Sequence, residues 1–180
     1  ARRAEVLERF AAELEARADR MIGLVSAQNG MPVSVAAQLE GSYPATLLRY
    51  YAGLLRAPSA PDLRDGLFGG VVEVRREPIG VVAAIVPWNF PQTLAMFKIA
   101  PALAAGCSVV VKPSPETVLD AFLLAEAADA AGLPAGLLNV VPAGREVGAY
   151  LVAHPDVDKV AFTGSTEAGR AIGETCGRLL

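Results

Sequence analysis

Apolar positions in the first third of the chain recur with helical spacing. Val6, Leu7, Phe10, Leu14, Met21, Ile22 and Val25 share one side, with Glu and Arg on the others. That stripe is what an amphipathic helix turns toward a core. The Asn29-Gly30 pair closes the helix with a residue tolerant of positive φ. Helical spacing resumes over Val33 to Leu39 and Thr46 to Leu55, with Gly41 and Pro44 marking a break or kink between them. Ala57 to Gly70 holds three turn-forming pairs, Ala57-Pro58, Ala60-Pro61 and Gly69-Gly70, and reads as a connector. Val71 to Arg76 mixes valines with charges, the pattern of an exposed or edge strand.

From Ile79 the texture changes. Val81 to Val86 is a continuous apolar run, expected of a strand covered on both faces. Pro91 to Ala105 reads as a helix ended by Gly106, and Ser108 to Val111 as a second buried strand. A helix over Glu116 to Ala131 stops at Gly132 and Pro134. Leu137 to Val141 follows as a third strand, Arg145 to Ala153 as a short helix and Lys159 to Phe162 as a fourth strand. A last helix runs from Ser165. Strand and helix alternate four times. The fold class this predicts is α/β: a parallel, Rossmann-like sheet with helices on both faces, preceded by N-terminal helices. Residues 1–70, 71–78 and 79–180 form the expected units.

Composition narrows the function. Of the 180 residues 53% are hydrophobic and 19% charged, too apolar for a disordered chain. Sixteen basic against 19 acidic residues give a net charge of −3, with no basic surplus for nucleic acid. Two Cys and one His exclude a disulfide scaffold and a His-rich metal site, so no metal is expected. The charge-free stretch from Ile79 to Phe97 is just long enough to span a bilayer. Pro87 and Pro91 interrupt it, and Trp88, Asn89 and Gln92 place polar groups near its centre. A strand, a turn and a helix explain it better, and the chain reads as soluble and cytoplasmic. The missing initiator Met points to a trimmed N-terminus.

In an open parallel sheet, ligands bind beyond the carboxyl ends of the strands. After the first strand comes Pro87-Trp88-Asn89-Phe90-Pro91, and after the second Lys112-Pro113-Ser114. After the third comes Pro142-Ala143-Gly144, and after the fourth Thr163-Gly164-Ser165. The polar and Gly-rich departures from the apolar pattern all fall on one rim. Gly164 to Gly169 follows a strand and opens a helix, where free N–H groups can hold a phosphate or Ser165 can simply cap the helix. Arg170-Ala171 stands where a P-loop needs Lys and Ser or Thr, which argues against an NTPase. The dinucleotide fingerprint G-x-G-x-x-G does not occur.

Asn89, bracketed by Trp88, Phe90 and two prolines, is placed either to donate to a developing oxyanion or to cap the next helix. Lys112 could reach ribose or phosphate, or lie exposed at its strand end. Lys98 lies within the helix after Pro91, where a solvated face is the plain expectation. Cys107 and Cys176 read as small core residues, and His154 as a surface residue.

Taken together, these segments resemble the aldehyde dehydrogenase superfamily over nearly the whole chain. The matching stretches are Glu77 to Val82, Pro87 to Pro91, Lys98 to Gly106, Val111 to Ser114 and Phe162 to Gly169, in order and at family-like spacing. The N-terminal helices, ending in Arg49-Tyr50-Tyr51-Ala52, resemble the family's too. The resemblance implies an NAD(P)-binding domain over 79–180, with Pro87, Trp88, Lys112, Ser114, Gly144, Phe162, Thr163, Gly164 and Ser165 as cofactor contacts. Lys112 would meet the adenosine ribose, and Ser165 with nearby N–H groups the pyrophosphate. Asn89 would be the oxyanion-hole amide. Phe90, with Trp88, would lie by the substrate tunnel and Lys98 near the reaction centre. The strand at 71–78 would belong to an oligomerisation arm, making a homodimer or homotetramer.

The implied function is oxidation of an aldehyde to a carboxylic acid through a Cys thiohemiacetal. In this family the thiol nucleophile and general-base Glu lie beyond the segment ending at Gly169. Neither Cys107 nor Cys176 stands in the nucleophile's motif, so the 180 residues alone are expected to be inactive. Many NAD-preferring members carry Glu three residues after the Lys matching Lys112. Here that place is Pro115, with Glu116 one further on, so the expected cofactor is NAD or NADP with a slight lean to NAD. The rival is a non-catalytic nucleotide-binding or structural protein of the same fold. A reductase acting on acyl-phosphate or acyl-CoA substrates is a further possibility within the superfamily.

Overall fold

The computed structural model describes residues 2–57 and 61–179. The single helix expected from Val6 to Val25 is two, α1 (Arg2–Ala16) and α2 (Ala18–Asn29). At the break the Arg17 N–H bonds Leu14 O at 3.1 Å, three residues back rather than four. The Arg17 guanidinium also holds the carbonyl and carboxylate of Glu13. Breaking there lets each half bury its stripe against a different body. Leu7, Phe10 and Leu14 enter the main core, whereas Met21 and Val25 pack with Met31, Ala36 and Leu123. Gly30 ends α2 at φ 75° with its N–H on Ser26 O, the left-handed cap that its sequence announced.

The break expected near Gly41 and Pro44 is a widened turn. α3 (Val33–Ala36) passes through a π-helical segment, Ala37–Ser42, into α4 (Tyr43–Arg56). A side chain at Gly41 would collide with Ile22, and Pro44 sits in the first turn of α4, where its missing N–H costs nothing. Glu40, within the widened turn, is 1% exposed.

The connector reading of Ala57 to Gly70 is corrected at Asp62–Asp65, which is a strand, β1. It pairs antiparallel with β2 (Val71–Val74), Asp62 opposite Val74. Asp62-Leu63-Arg64-Asp65 lacks apolar alternation, so only its backbone pairing with β2 makes it a strand. The turns at Ala57-Pro58 and Ala60-Pro61 involve residues 58–60 and lie outside the described residues. β2 ends at Val74, two residues before the expected Arg76.

The main sheet contains β3 (Val81–Ile85), β4 (Ser108–Lys112), β5 (Leu138–Val140) and β6 (Lys159–Phe162), all parallel, in the order β5-β4-β3-β6. Its crossovers are α5 (Pro91–Ala105), α6 (Leu119–Ala130) and α7 (Arg145–Val152), and α8 (Thr166–Leu179) follows β6. α6 begins later than Glu116 because Thr117 N–H turns back onto Ser114 O. Val82, Ala84, Val86, Val109 and Val111 face α5 and α6 and, beyond them, α1 and α4 in one core. Fully burying a Leu or Phe such as Leu48 or Phe10 contributes about 1.5–3 kcal/mol. On the other face Ile85 lines a groove with α7 and α8. Cys107 is buried as expected, but Cys176 is half-buried on α8, a helix with no buried residue, and is not a core side chain.

The expected α/β fold is thus observed. The charge-free stretch from Ile79 divides between β3 and α5. Among the described residues no helix is long and apolar enough to cross a membrane. The chain steps outward from β3 to β4 to β5, then returns to the far side of β3 as β6. The strand order therefore reverses between β3 and β6, which is where such sheets open a ligand crevice.

Candidate functional site

At that switch point lies an open cleft of about 500 Å3. Pro87 and Trp88 line it from β3, Lys112, Ser114 and Glu116 from β4, and Phe162, Thr163, Gly164 and Ser165 from β6. A groove of about 320 Å3 adjoins it between α7 and α8, walled by Ile85, Gly148, Val152, Phe162, Ala168 and Ile172. A larger hollow, about 610 Å3, lies elsewhere, among Arg3, Leu7, Pro78, Gly106, Cys107 and Leu137. It gathers none of the rim residues, and Arg3 there is spent on Ala104 O at 2.7 Å. The chemistry-bearing residues meet in the smaller cleft.

Lys112 is 6% exposed, so it does not lie free at its strand end. Its Nζ donates to Pro113 O at 2.8 Å and Ala143 O at 3.0 Å. It can lie along α7 because Gly148 is bare: a Cβ there would stand 3.2 Å from Lys112 Cδ. Burial lowers its pKa and the Glu116 carboxylate opposes that shift. Glu116 accepts a hydrogen bond from Ser114 Oγ, which with Lys112 holds its carboxyl below the usual range. The cleft therefore carries a cation and an ionised carboxylate side by side. Gly144 does not line it, but precedes α7 and accepts from Gly148 N–H.

At the β6–α8 turn, Thr163 N–H bonds Ile85 O at 3.2 Å, and Phe162 packs so tightly on Gly164 that a Cβ there would lie 2.5 Å from the ring. Ser165 Oγ accepts from Ala168 N–H at 3.2 Å, so Ser165 caps α8. The N–H groups of Thr166 and Glu167 have no hydrogen-bond partner among the described residues. They are the open first-turn donors of the helix.

Asn89 follows Trp88 but does not line the cleft. It is exposed, and its carboxamide makes no hydrogen bond among the described residues. The loop carrying it is held from behind. Asn29 Nδ2 donates to Trp88 O at 2.9 Å and Asn89 O at 3.4 Å. Phe90, half-buried, precedes α5, whose Gln92 N–H is taken by Glu40 Oε2 at 2.7 Å. Glu40, Gln92 and Asp120 are each 1% exposed, and Asp120 accepts from both Gln92 and Gln28. Desolvation raises both carboxyls above their ordinary values, against the pull of these hydrogen bonds. Asn29 was legible only as a helix end, and nothing local in the sequence marked Gln28, Glu40 or Asp120.

Lys98 is 7% exposed, not on a solvated face. Its Nζ donates to Leu94 O at 2.9 Å and Thr163 Oγ1 at 2.7 Å, and burial lowers its pKa to about 8. The sheet and its helices thus bring together the ends of β3, β4 and β6, with Lys98 directly behind Thr163.

A parallel α/β sheet with such a cleft at its switch point defines the Rossmann-like class of fold, in which ligands bind beyond the carboxyl ends of the strands. The sequence matches the aldehyde dehydrogenase family over residues 1–180, and the chain belongs to that family. It is 58% identical over 178 residues to the geranial dehydrogenase of Castellaniella defragrans, covering 99% of this chain and 37% of that protein. A solved indole-3-acetaldehyde dehydrogenase with NAD+ superposes at TM-score 0.92 with 38% identity, covering 98% of this chain and 36% of that one. An NADP-dependent enzyme of E. coli superposes at TM-score 0.92 with 38% identity, covering 98% and 37%. The chain spans a little over a third of the length of these relatives.

Proposed function

We propose that the chain is the cofactor-holding part of an NAD(P)-dependent aldehyde dehydrogenase, with residues 79–180 as the cofactor domain. The Cys nucleophile and Glu base would stand on further chain. The observation that carries this reading is the meeting of the β3, β4 and β6 ends in one cleft beside the Asn89 loop. The cleft fits a dinucleotide. The open N–H groups of Thr166 and Glu167, at the positive end of α8, suit a pyrophosphate, and the apolar groove between α7 and α8 suits a flat base. When bound, NAD(P) supplies the hydride acceptor.

The chain's own residues would do the rest. Lys112, freed from its two carbonyls, would donate to ribose hydroxyls. Ser114 and Pro87 shape the cleft floor, and Gly144 sets the start of α7 so that Ala143 O meets Lys112. The ionised Glu116 would repel a 2′-phosphate while Lys112 attracts it, which leaves a slight lean to NAD. Asn89 would donate its amide N–H to the carbonyl oxygen as a thiolate adds and negative charge gathers there. Trp88 and Phe90 would border the aldehyde's path, and Lys98 would hold Thr163 from behind. The β1–β2 hairpin, whose tip exposes Leu67 and Phe68 almost completely, would be covered by another copy in a dimer or tetramer.

The test compares the full-length protein with the 180-residue chain in aldehyde-dependent reduction of NAD+. The full-length protein should turn over and the 180-residue chain should not. Turnover by the short chain, abolished by Cys107→Ala or Cys176→Ala, would place the nucleophile here. Cofactor binding without turnover by the full-length protein would favour a non-catalytic role.

A further inference from the structure

The Asn89 carboxamide is useful only if its direction is fixed, yet it is exposed and unpartnered among the described residues, so its direction must come from its backbone. That backbone is tied at one point by a residue 60 positions upstream, as Asn29 Nδ2 bonds Trp88 O and Asn89 O. The two carbonyls flank the Cα of Asn89, so the contact restrains the dihedrals that aim its side chain. Asn29 is itself doubly fixed. Its Oδ1 accepts from Met31 N–H at 2.9 Å across the left-handed Gly30, which sets the amide so that Nδ2 faces the loop. Gln28, the preceding residue, anchors the end of α2 to α6 through Leu119 N–H and Asp120. The hydrogen-bond path runs from α6 through Gln28 and Asn29 to the Asn89 loop.

We propose that Asn29 is a positioning residue for the Asn89 amide, clamping the loop so that the amide N–H points where the substrate oxygen gathers charge. The inference rests on reading Asn89 as the oxyanion donor. A residue that merely stabilised α2 would affect catalysis equally whether or not Asn89 is present. A clamp loses its effect once the group it aims is gone.

The experiment is a double-mutant cycle in the full-length protein, reading kcat for aldehyde oxidation, Kd for NAD+ and Tm. N29D keeps the acceptor for Met31 N–H and removes the donor to the loop. N29S keeps a shorter acceptor without the reach, and serves as the second variant should N29D fold poorly. N29D should lower kcat about tenfold, the scale of a misaligned catalytic group, with Kd for NAD+ unchanged within about twofold. In the N89A background the same change should cost less than about twofold. An equal loss in both backgrounds would overturn the clamp, as would no loss beside an N89A variant that is itself strongly impaired. If N89A alone leaves kcat unchanged, the oxyanion reading falls and the clamp with it.

Discussion

Two helices open on the switch point, and their N-termini are treated in opposite ways. α5 follows the Asn89 loop, and its first turn is buried, with Gln92 N–H taken by the Glu40 carboxylate. α8 follows β6, and its first turn is exposed, capped by its own Ser165, with the N–H groups of Thr166 and Glu167 open among the described residues. Both are strand–loop–helix crossings, and either helix end could in principle draw an anion. At α5 that capacity is already met by the buried Glu40 carboxyl group, so a phosphate there would have to displace a buried side chain. On the proposed function the difference would separate two tasks: α8 would receive a pyrophosphate, and α5 would be a fixed platform for the loop that holds the donor.

The largest expected effect is at the sealed end. Asn89→Ala in the full-length protein should lower kcat by roughly 10²–10³ while cofactor affinity barely changes, the scale for losing one oxyanion donor. Weaker cofactor binding at unchanged kcat would make Asn89 a helix-entry residue and remove the division of labour.

At the open end, Lys112→Ala should weaken NADP binding more than NAD binding. The difference should be about 1.5–3 kcal/mol, the range for a charged hydrogen bond. Kd for both cofactors in the wild type and the variant measures it. Equal weakening would confine Lys112 to groups the cofactors share.

A smaller effect concerns the seal itself. Burial raises the Glu40 carboxyl above its ordinary 4.5, so the folded chain holds that proton to higher pH than the unfolded one. The stability tied to this proton is fully present below that ordinary value and is lost as pH rises through the raised one. Glu40→Gln keeps an oxygen for Gln92 N–H and removes the titration. Its denaturant stability should therefore fall less between pH 4.5 and neutrality than the wild type's. Asp120, raised by the same burial, keeps part of the slope in both. Identical pH profiles would show that Glu40 does not titrate across this range.

The sequence made the open end far more legible than the sealed one. Lys112, Thr163 and Ser165 each end a strand or begin a helix, so the alternation that revealed the sheet also put them on its rim. Ser165 proved to be both a cap and a neighbour of open donors, two readings that the sequence held apart. The seal depends on partners far apart in the chain: Glu40 and Gln92 are 52 residues apart, Gln28 and Asp120 92. No local pattern marks such pairs. The solvated-face reading of Lys98 fails because the exposed side of α5 runs through Phe97 and Ala105, while Lys98 lies on the buried side. β1 stayed hidden because backbone pairing, not apolar alternation, makes it a strand.

The most direct test of the division between the two helix ends is a crystal structure of the full-length protein with NAD+ bound. The pyrophosphate should lie within hydrogen-bond distance of the backbone N–H groups at residues 165–167, with Gln92 N–H still on Glu40. A pyrophosphate seated at residues 91–93 with Glu40 displaced would contradict the account.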